Sequence, residues 1–170
     1  MPASDGVLER ALEGDAVVFL ETLVSSQRHY RFDPDPETVW AAISDTGSYR
    51  RWWPWLHQFD AQGLQAGDTW TCVIEPPLPY KIEFVVSIER VVRPRLITAR
   101  LSGDVRGTGT VEITGDDGGS RVRVVSHLAP ANGFLRAAAR VALPVVRLGH
   151  DWILDSGARQ FATGALAPAG

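Results

Sequence analysis

The chain reads as one α+β domain, a curved antiparallel sheet wrapped around a long C-terminal helix, with two short helices after the first strand. Three observations predict this. DPDPETVWAAISDTGSYRRWWPWL, residues 33–56, carries helix-start chemistry and ends in a tryptophan-proline cluster. From TWTCVIE, which begins at Thr69, the chain alternates apolar and polar residues with period two through four or five strands. After Asn132 the apolar spacing changes to the helical period and holds to about Leu166.

The elements follow in order. Residues 1–21 are an N-terminal extension, in which Asp5 can cap a short helix over residues 4–14 with Leu8 and Leu12 on one face. The domain proper runs over residues 22–167. Thr22 to Phe32 reads as a strand, with Tyr30 and Phe32 on one face and His29 and Arg31 on the other. Asp35 is a good N-cap, Pro36 suits the first helical position, and Val39, Trp40 and Ile43 form an apolar stripe. SYRRWWPWL has room for another turn or two of helix before Pro54 interferes.

DAQGLQAGD is a loop, and then the meander begins. TWTCVIE meets a proline-rich turn, PPLP, and YKIEFVVSIERVV places Ile82, Phe84, Val86 and Ile88 on one face and Glu83, Ser87 and Glu89 on the other. RPRLITARLSG, DVRGTGTVEITG and SRVRVVSHL continue it, with DDGG at 116–119 as a hairpin signal and GTG at 107–109 as a bulge site. In the final helix Leu135, Ala138, Ala142, Val145, Gly149, Trp152 or Ile153, Ser156 and Gln160 follow the period, and Pro144 should kink it.

At 170 residues the chain can bury roughly two thirds of its unfolded surface as one domain, without a disulfide or metal staple. Its one cysteine, Cys72, lies in an apolar alternating stretch, has no CxxC partner, and reads as a small buried hydrophobe. No metal site or cofactor is expected. A net charge of −3 argues against nucleic acid as the main partner, because phosphate binding needs a basic face. The N-terminus lacks the charged-then-apolar order of a secretory signal, and AVVFLETLV is far shorter than the about 20 apolar residues of a membrane helix. A cytoplasmic protein without stable membrane insertion is predicted, with a homodimer left open.

A curved sheet with a helix across its inner face encloses a wedge. Ala138, Ala142, Gly149 and Ser156 are small, so the wedge is predicted to stay partly open as a cavity for an apolar ligand. The same small residues would also permit close packing.

In this setting the chain resembles the START-like or SRPBCC superfamily, in particular its polyketide cyclase/dehydrase and lipid transport group. The resemblance rests on the segment at 33–56, the Gly67-Asp68 turn before the second strand, and DWILDSGARQFA in the last helix. It covers roughly residues 22–166. It implies a helix-grip fold with a deep hydrophobic pocket between sheet and C-terminal helix, and it carries no catalytic motif.

The ligand-binding candidates are Trp53, Trp55, Trp70, Phe84, Leu135, Ala142, Val146 and Trp152. Each aromatic among them also reads as plain core. Trp52, Trp53 and Trp55 straddle a proline and cannot all point one way, so at least one should pack and one should sit near the cavity mouth.

The polar candidates inside the wedge are Tyr80, Arg106, His127 and His150, which would serve as general base and oxyanion stabiliser in a cyclisation or dehydration. Strand parity opposes two of them. If Val122 and Val124 face inward, so does Ser126, and His127 faces out; Arg106 shares parity with Glu112. Arg136, Arg140 and Arg147 read either as the wet face of the helix or as a contact for an anionic membrane, and Asp151 as the i+4 partner of Arg147.

The leading function is binding, transport or sequestration of a small hydrophobic or aromatic ligand such as a lipid or polyketide. The alternative is a cyclase or dehydratase using Tyr80 or His127 with Arg106, and whether the chain is an enzyme stays open. A third reading is a partner-binding domain with a vestigial cavity.

Overall fold

The computed structural model describes residues 24–167, less the side chains of residues 139–143. The extension and its helix over residues 4–14 lie outside the described residues. The order is β1 (Val24–Phe32), α1 (Pro36–Ser44), a 3₁₀ turn (Thr46–Ser48), α2 (Tyr49–Trp52), β2 (Leu56–Ala61), β3 (Thr69–Ile74), β4 (Ile82–Val92), β5 (Leu96–Gly103), β6 (Val105–Asp116), β7 (Gly119–Pro130) and α3 (Gly133–Gly164).

The local chemistry explains the helices. The Asp35 carboxylate accepts the N–H groups of Glu37 at 2.9 Å and Thr38 at 3.1 Å, which satisfies two otherwise unpaired donors of α1. That orientation turns Val39 and Trp40 fully inward. α2 lasts four residues and ends just before Pro54. Asn132 caps α3 by accepting the Leu135 N–H at 2.7 Å. α3 continues through Pro144 as one element.

The strands form one curved antiparallel sheet in the order β1-β7-β6-β5-β4-β3-β2. The β6–β7 hairpin closes at Asp116↔Gly119, where Gly118 takes φ +85°, a conformation that suits glycine in the turn.

Two readings of the sequence are corrected here. β2 falls within LHQFDA, which showed no alternation because a register shift between Leu56 and Gln58 breaks the period. The Gly67-Asp68 turn therefore precedes the third strand. The second bulge lies between Ile88 and Arg90 on β4, while the register of β6 is unbroken through residues 107–109 on both sides. Gly107 serves a different need. At φ +146°, a Cβ there would lie 1.8 Å from the His127 carbonyl oxygen.

The core lies where sheet, α1 and the end of α3 meet. Val39, Ile88, Ile113 and Val122 are buried, and Phe32 meets Phe161 edge-on at 5.5 Å. Each such side chain contributes about 1.5–3 kcal/mol. A second cluster of Tyr49, Leu56, Cys72 and Ile74 lies under the tryptophans. Burial pushes the Cys72 thiol up to about 12, so it is an inert packing group.

Candidate functional site

Between the sheet and α3 lies a cavity of about 490 Å³ with an almost wholly apolar lining. Its size falls within the range of small-molecule sites. The floor is the inward-facing set of strand residues, including Phe84, Val86, Ala99, Val111 and Val124. The roof is one stripe of α3, formed by Val146, Gly149, His150, Ile153, Gly157 and Phe161. One end is aromatic. The other is the proline-rich turn with Pro76, Leu78 and Tyr80, facing Leu135.

Six predicted ligand-binding positions line this space: Trp53, Trp55, Trp70, Phe84, Leu135 and Val146. Trp152 is half-buried and outside the lining, because the inner stripe of α3 runs through Ile153. Ala142 lies in α3, but its side chain is outside the described residues. The stripe is also displaced by one residue at Val145, which is 44% exposed while Val146 lines the cavity. Ser156 is buried in packing, not at the cavity surface.

The tryptophans grip the helix. Trp53 Nε1 donates to the Gly157 carbonyl and Trp55 Nε1 to Gln160 Oε1, both at 2.9 Å. Trp53 stacks on Trp55 at 5.7 Å and meets Tyr49 at 4.7 Å. Gly157 permits this approach, since its Cβ position is 3.4 Å from Trp55 Cζ2. Trp52 packs edge-on against Phe161 at 5.7 Å, away from the lining. The run thus divides between packing (Trp52) and cavity wall (Trp53, Trp55), with both wall rings anchored through their N–H groups.

The polar candidates divide differently. Tyr80 lines the cavity at the proline-rich turn, where it meets Phe134 edge-on at 6.1 Å, and burial raises its phenol above the ordinary value. Arg106 and His127 lie on the outer face of the sheet, with Thr108 and Arg100 around a separate depression. His127 there contacts Ser25 Oγ at 3.1 Å through Nδ1. The trio of Tyr80, Arg106 and His127 therefore does not converge, because the unbroken register of β6 keeps the parity that turns two of them outward.

A polar wall does form, elsewhere. Ser126 on β7 and His150 on α3 both line the cavity, with Ser126 Oγ 3.1 Å from His150 Nε2. His150 Nδ1 lies 3.6 Å from the Asp151 carboxylate, beyond hydrogen-bond length, and is a buried nitrogen without a hydrogen-bond partner among the described residues. Burial lowers the imidazole's pKa, opposed in part by Asp151, so His150 is neutral near pH 7.

Beside it Tyr30 Oη donates to Asp155 at 3.0 Å, and burial together with that carboxylate raises its phenol. Arg28 pairs with Asp151 at 2.8 Å and approaches Asp155 at 3.7 Å. The i+4 assignment of Asp151 to Arg147 is corrected accordingly. The better partner comes from β1, whose inner face carries Arg28 two residues before Tyr30. Strand parity pointed to Tyr30 and Ser126. Their meeting with His150 and Asp155 depends on how α3 is rotated, which no local pattern encodes.

Among the described residues no group of histidine, cysteine and carboxylate side chains could hold a metal, and no helix is long and apolar enough to cross a membrane.

The family of polyketide cyclases/dehydrases and lipid transport proteins matches residues 22–163. No curated protein matches in sequence. Among solved structures, a START superfamily protein from Mycobacterium smegmatis superposes with a TM-score of 0.67 at 12% identity, covering 85% of this chain and 99% of that one. Protein Ms6760 from the same organism gives 0.64 at 18% identity over 87% and 94%. TTHA0849 from Thermus thermophilus gives 0.64 at 13% over 86% and 100%. At such identities these structures share the fold alone. With the family match over most of its length and the helix-grip architecture around an apolar cavity, the chain belongs to the polyketide cyclase/dehydrase and lipid transport family of the START-like (SRPBCC) superfamily.

Proposed function

We propose that this protein binds one small hydrophobic or aromatic molecule, such as a lipid or polyketide, between the sheet and α3, and carries or sequesters it. The observation that supports this most is the cavity of about 490 Å³ with its almost wholly apolar lining. Apolar surface left facing such a space gains from being covered by a ligand, at about 25 cal/mol per Å² removed from water. Trp53, Trp55, Trp70, Phe84, Leu135 and Val146 would supply the contact. Acid/base turnover by Tyr80, Arg106 and His127 loses support from their placement on two faces of the sheet.

Native mass spectrometry of the purified protein, with organic extraction, tests the reading. A copurifying apolar molecule at one per chain, released by extraction, is the expected result. A protein that carries nothing and takes up no neutral apolar probe would contradict it.

A further inference from the structure

The side-chain donors of the cavity wall are largely spent inside the protein. Trp53 and Trp55 donate to α3, Trp70 Nε1 donates to the Gly63 carbonyl at 2.7 Å, and Tyr49 Oη to the Ile43 carbonyl. Tyr30 donates to Asp155. For Ser126 the tautomer of His150 decides. The Asp151 carboxylate lies 3.6 Å from Nδ1, and a bare Nδ1 lone pair facing it would be repelled. Nδ1 therefore carries the proton, and Nε2 accepts from the Ser126 hydroxyl.

What the wall still offers is lone pairs, on Ser126 Oγ and Tyr30 Oη. A ligand that donates a hydrogen bond can use them. One that only accepts finds the hydrogens of Ser126 and Tyr30 already committed, while the Nδ1–H of His150 is buried away from the cavity surface. The charge next to it points the same way, since Arg28 faces two carboxylates, Asp151 and Asp155, leaving an excess negative charge that repels an anion. Tyr80 lies at the proline-rich turn, where its ring meets Phe134, and not beside Ser126 and His150.

We propose that the cavity selects ligands bearing an uncharged hydrogen-bond donor, a hydroxyl above all, on an otherwise apolar body, held by Ser126 Oγ and Tyr30 Oη. This rests on the cavity being a ligand site, and the test separates the two ideas. The protein is loaded with N-phenyl-1-naphthylamine, a neutral fluorophore, and the probe is displaced near neutral pH by 1-dodecanol, dodecyl methyl ether or dodecanoate. The three share a chain and differ in being donor, acceptor only, or anion.

Dodecanol is expected to bind about tenfold more tightly than either of the others. Ser126→Ala should shrink that advantage, each competitor's affinity being referred to the variant's own affinity for the probe, whose N–H is itself a donor, and Tyr30→Phe makes the same comparison should the first variant fold poorly. Equal affinities for alcohol and ether, or tightest binding by dodecanoate, would overturn the inference while leaving the cavity reading intact. A probe that does not bind at all would overturn both.

Discussion

The two halves of α3 meet the rest of the domain on different terms. Toward its C-terminus the helix is held by Trp53 and Trp55 through their N–H groups and by Trp52 and Phe32 against Phe161, with Ser156 only 2% exposed. Toward its N-terminus it carries Phe134, 67% exposed, and Leu148, 66% exposed, and it meets the proline-rich turn through Tyr80 and Leu78. One half anchors the helix, and the other borders the proline-rich end of the cavity. Ordered packing at one end lets the other end be apolar and open without unfolding the domain.

The largest effect that would break this comparison is at Trp53. Trp53→Ala removes a ring in contact with Tyr49, Trp52, Trp55 and Phe161 and frees the Gly157 carbonyl, and it should cost about 3–5 kcal/mol in urea unfolding. A loss near zero would mean the aromatic end is not the anchor.

Next is Gly157→Leu. The Cβ position is already 3.4 Å from Trp55 Cζ2 and 3.7 Å from Trp53 Nε1, so a leucine must displace rings that have nowhere to go. About 1–3 kcal/mol of destabilisation is expected from the same measurement.

The third prediction concerns pH and the polar wall. The folded-state pKa of His150 lies below its ordinary value of 6.5, burial being the main cause. Between the two values the unfolded chain binds more protons than the folded one, so stability falls as pH drops below 6.5 toward the lowered value and is regained above it. Arg28, Tyr30, Asp151 and Asp155 stand around this site and set the background. Urea midpoints for His150→Gln should lose part of that acid-side slope, and an unchanged slope would assign it to other groups.

The smallest effect is at Gly149, in the open half. A Cβ there comes within 2.8 Å of Leu78 Cδ1, the end of a flexible side chain that can change rotamer. Gly149→Ala gains up to about 1 kcal/mol of helix propensity, so its unfolding midpoint should hold or rise. A loss as large as that at Gly157 would erase the contrast between the halves.

Much of this architecture was legible in the sequence because it rests on local rules. Asp35-Pro36 marked α1, DDGG marked the β6–β7 turn, and strand parity put Val122, Val124 and Ser126 inside and His127 outside. β2 was hidden because its register shift falls within a six-residue strand whose outward residues, His57, Gln58 and Asp60, resemble a loop. The rotation of α3 was legible to within one residue, enough to find Val146 but not to choose Ile153 over Trp152. The ion pair of Arg28 with Asp151 and the contact of Ser126 with His150 are long-range, and a locally reasonable partner, Arg147, stood in the way.

The central claim is that the space between sheet and α3 is a ligand site. It is tested most directly by titrating N-phenyl-1-naphthylamine into the wild-type protein and into Gly109→Leu. Gly109 lines the cavity on β6 and shares parity with Val111, and its Cβ position has only Leu101 Cδ1 nearby, at 3.8 Å, so a leucine fills the cavity without a backbone clash. Saturable one-to-one binding by the wild type, weakened about tenfold or more in a Gly109→Leu protein of unchanged unfolding midpoint, is the predicted result. No saturable binding, or binding indifferent to Gly109→Leu, would contradict it.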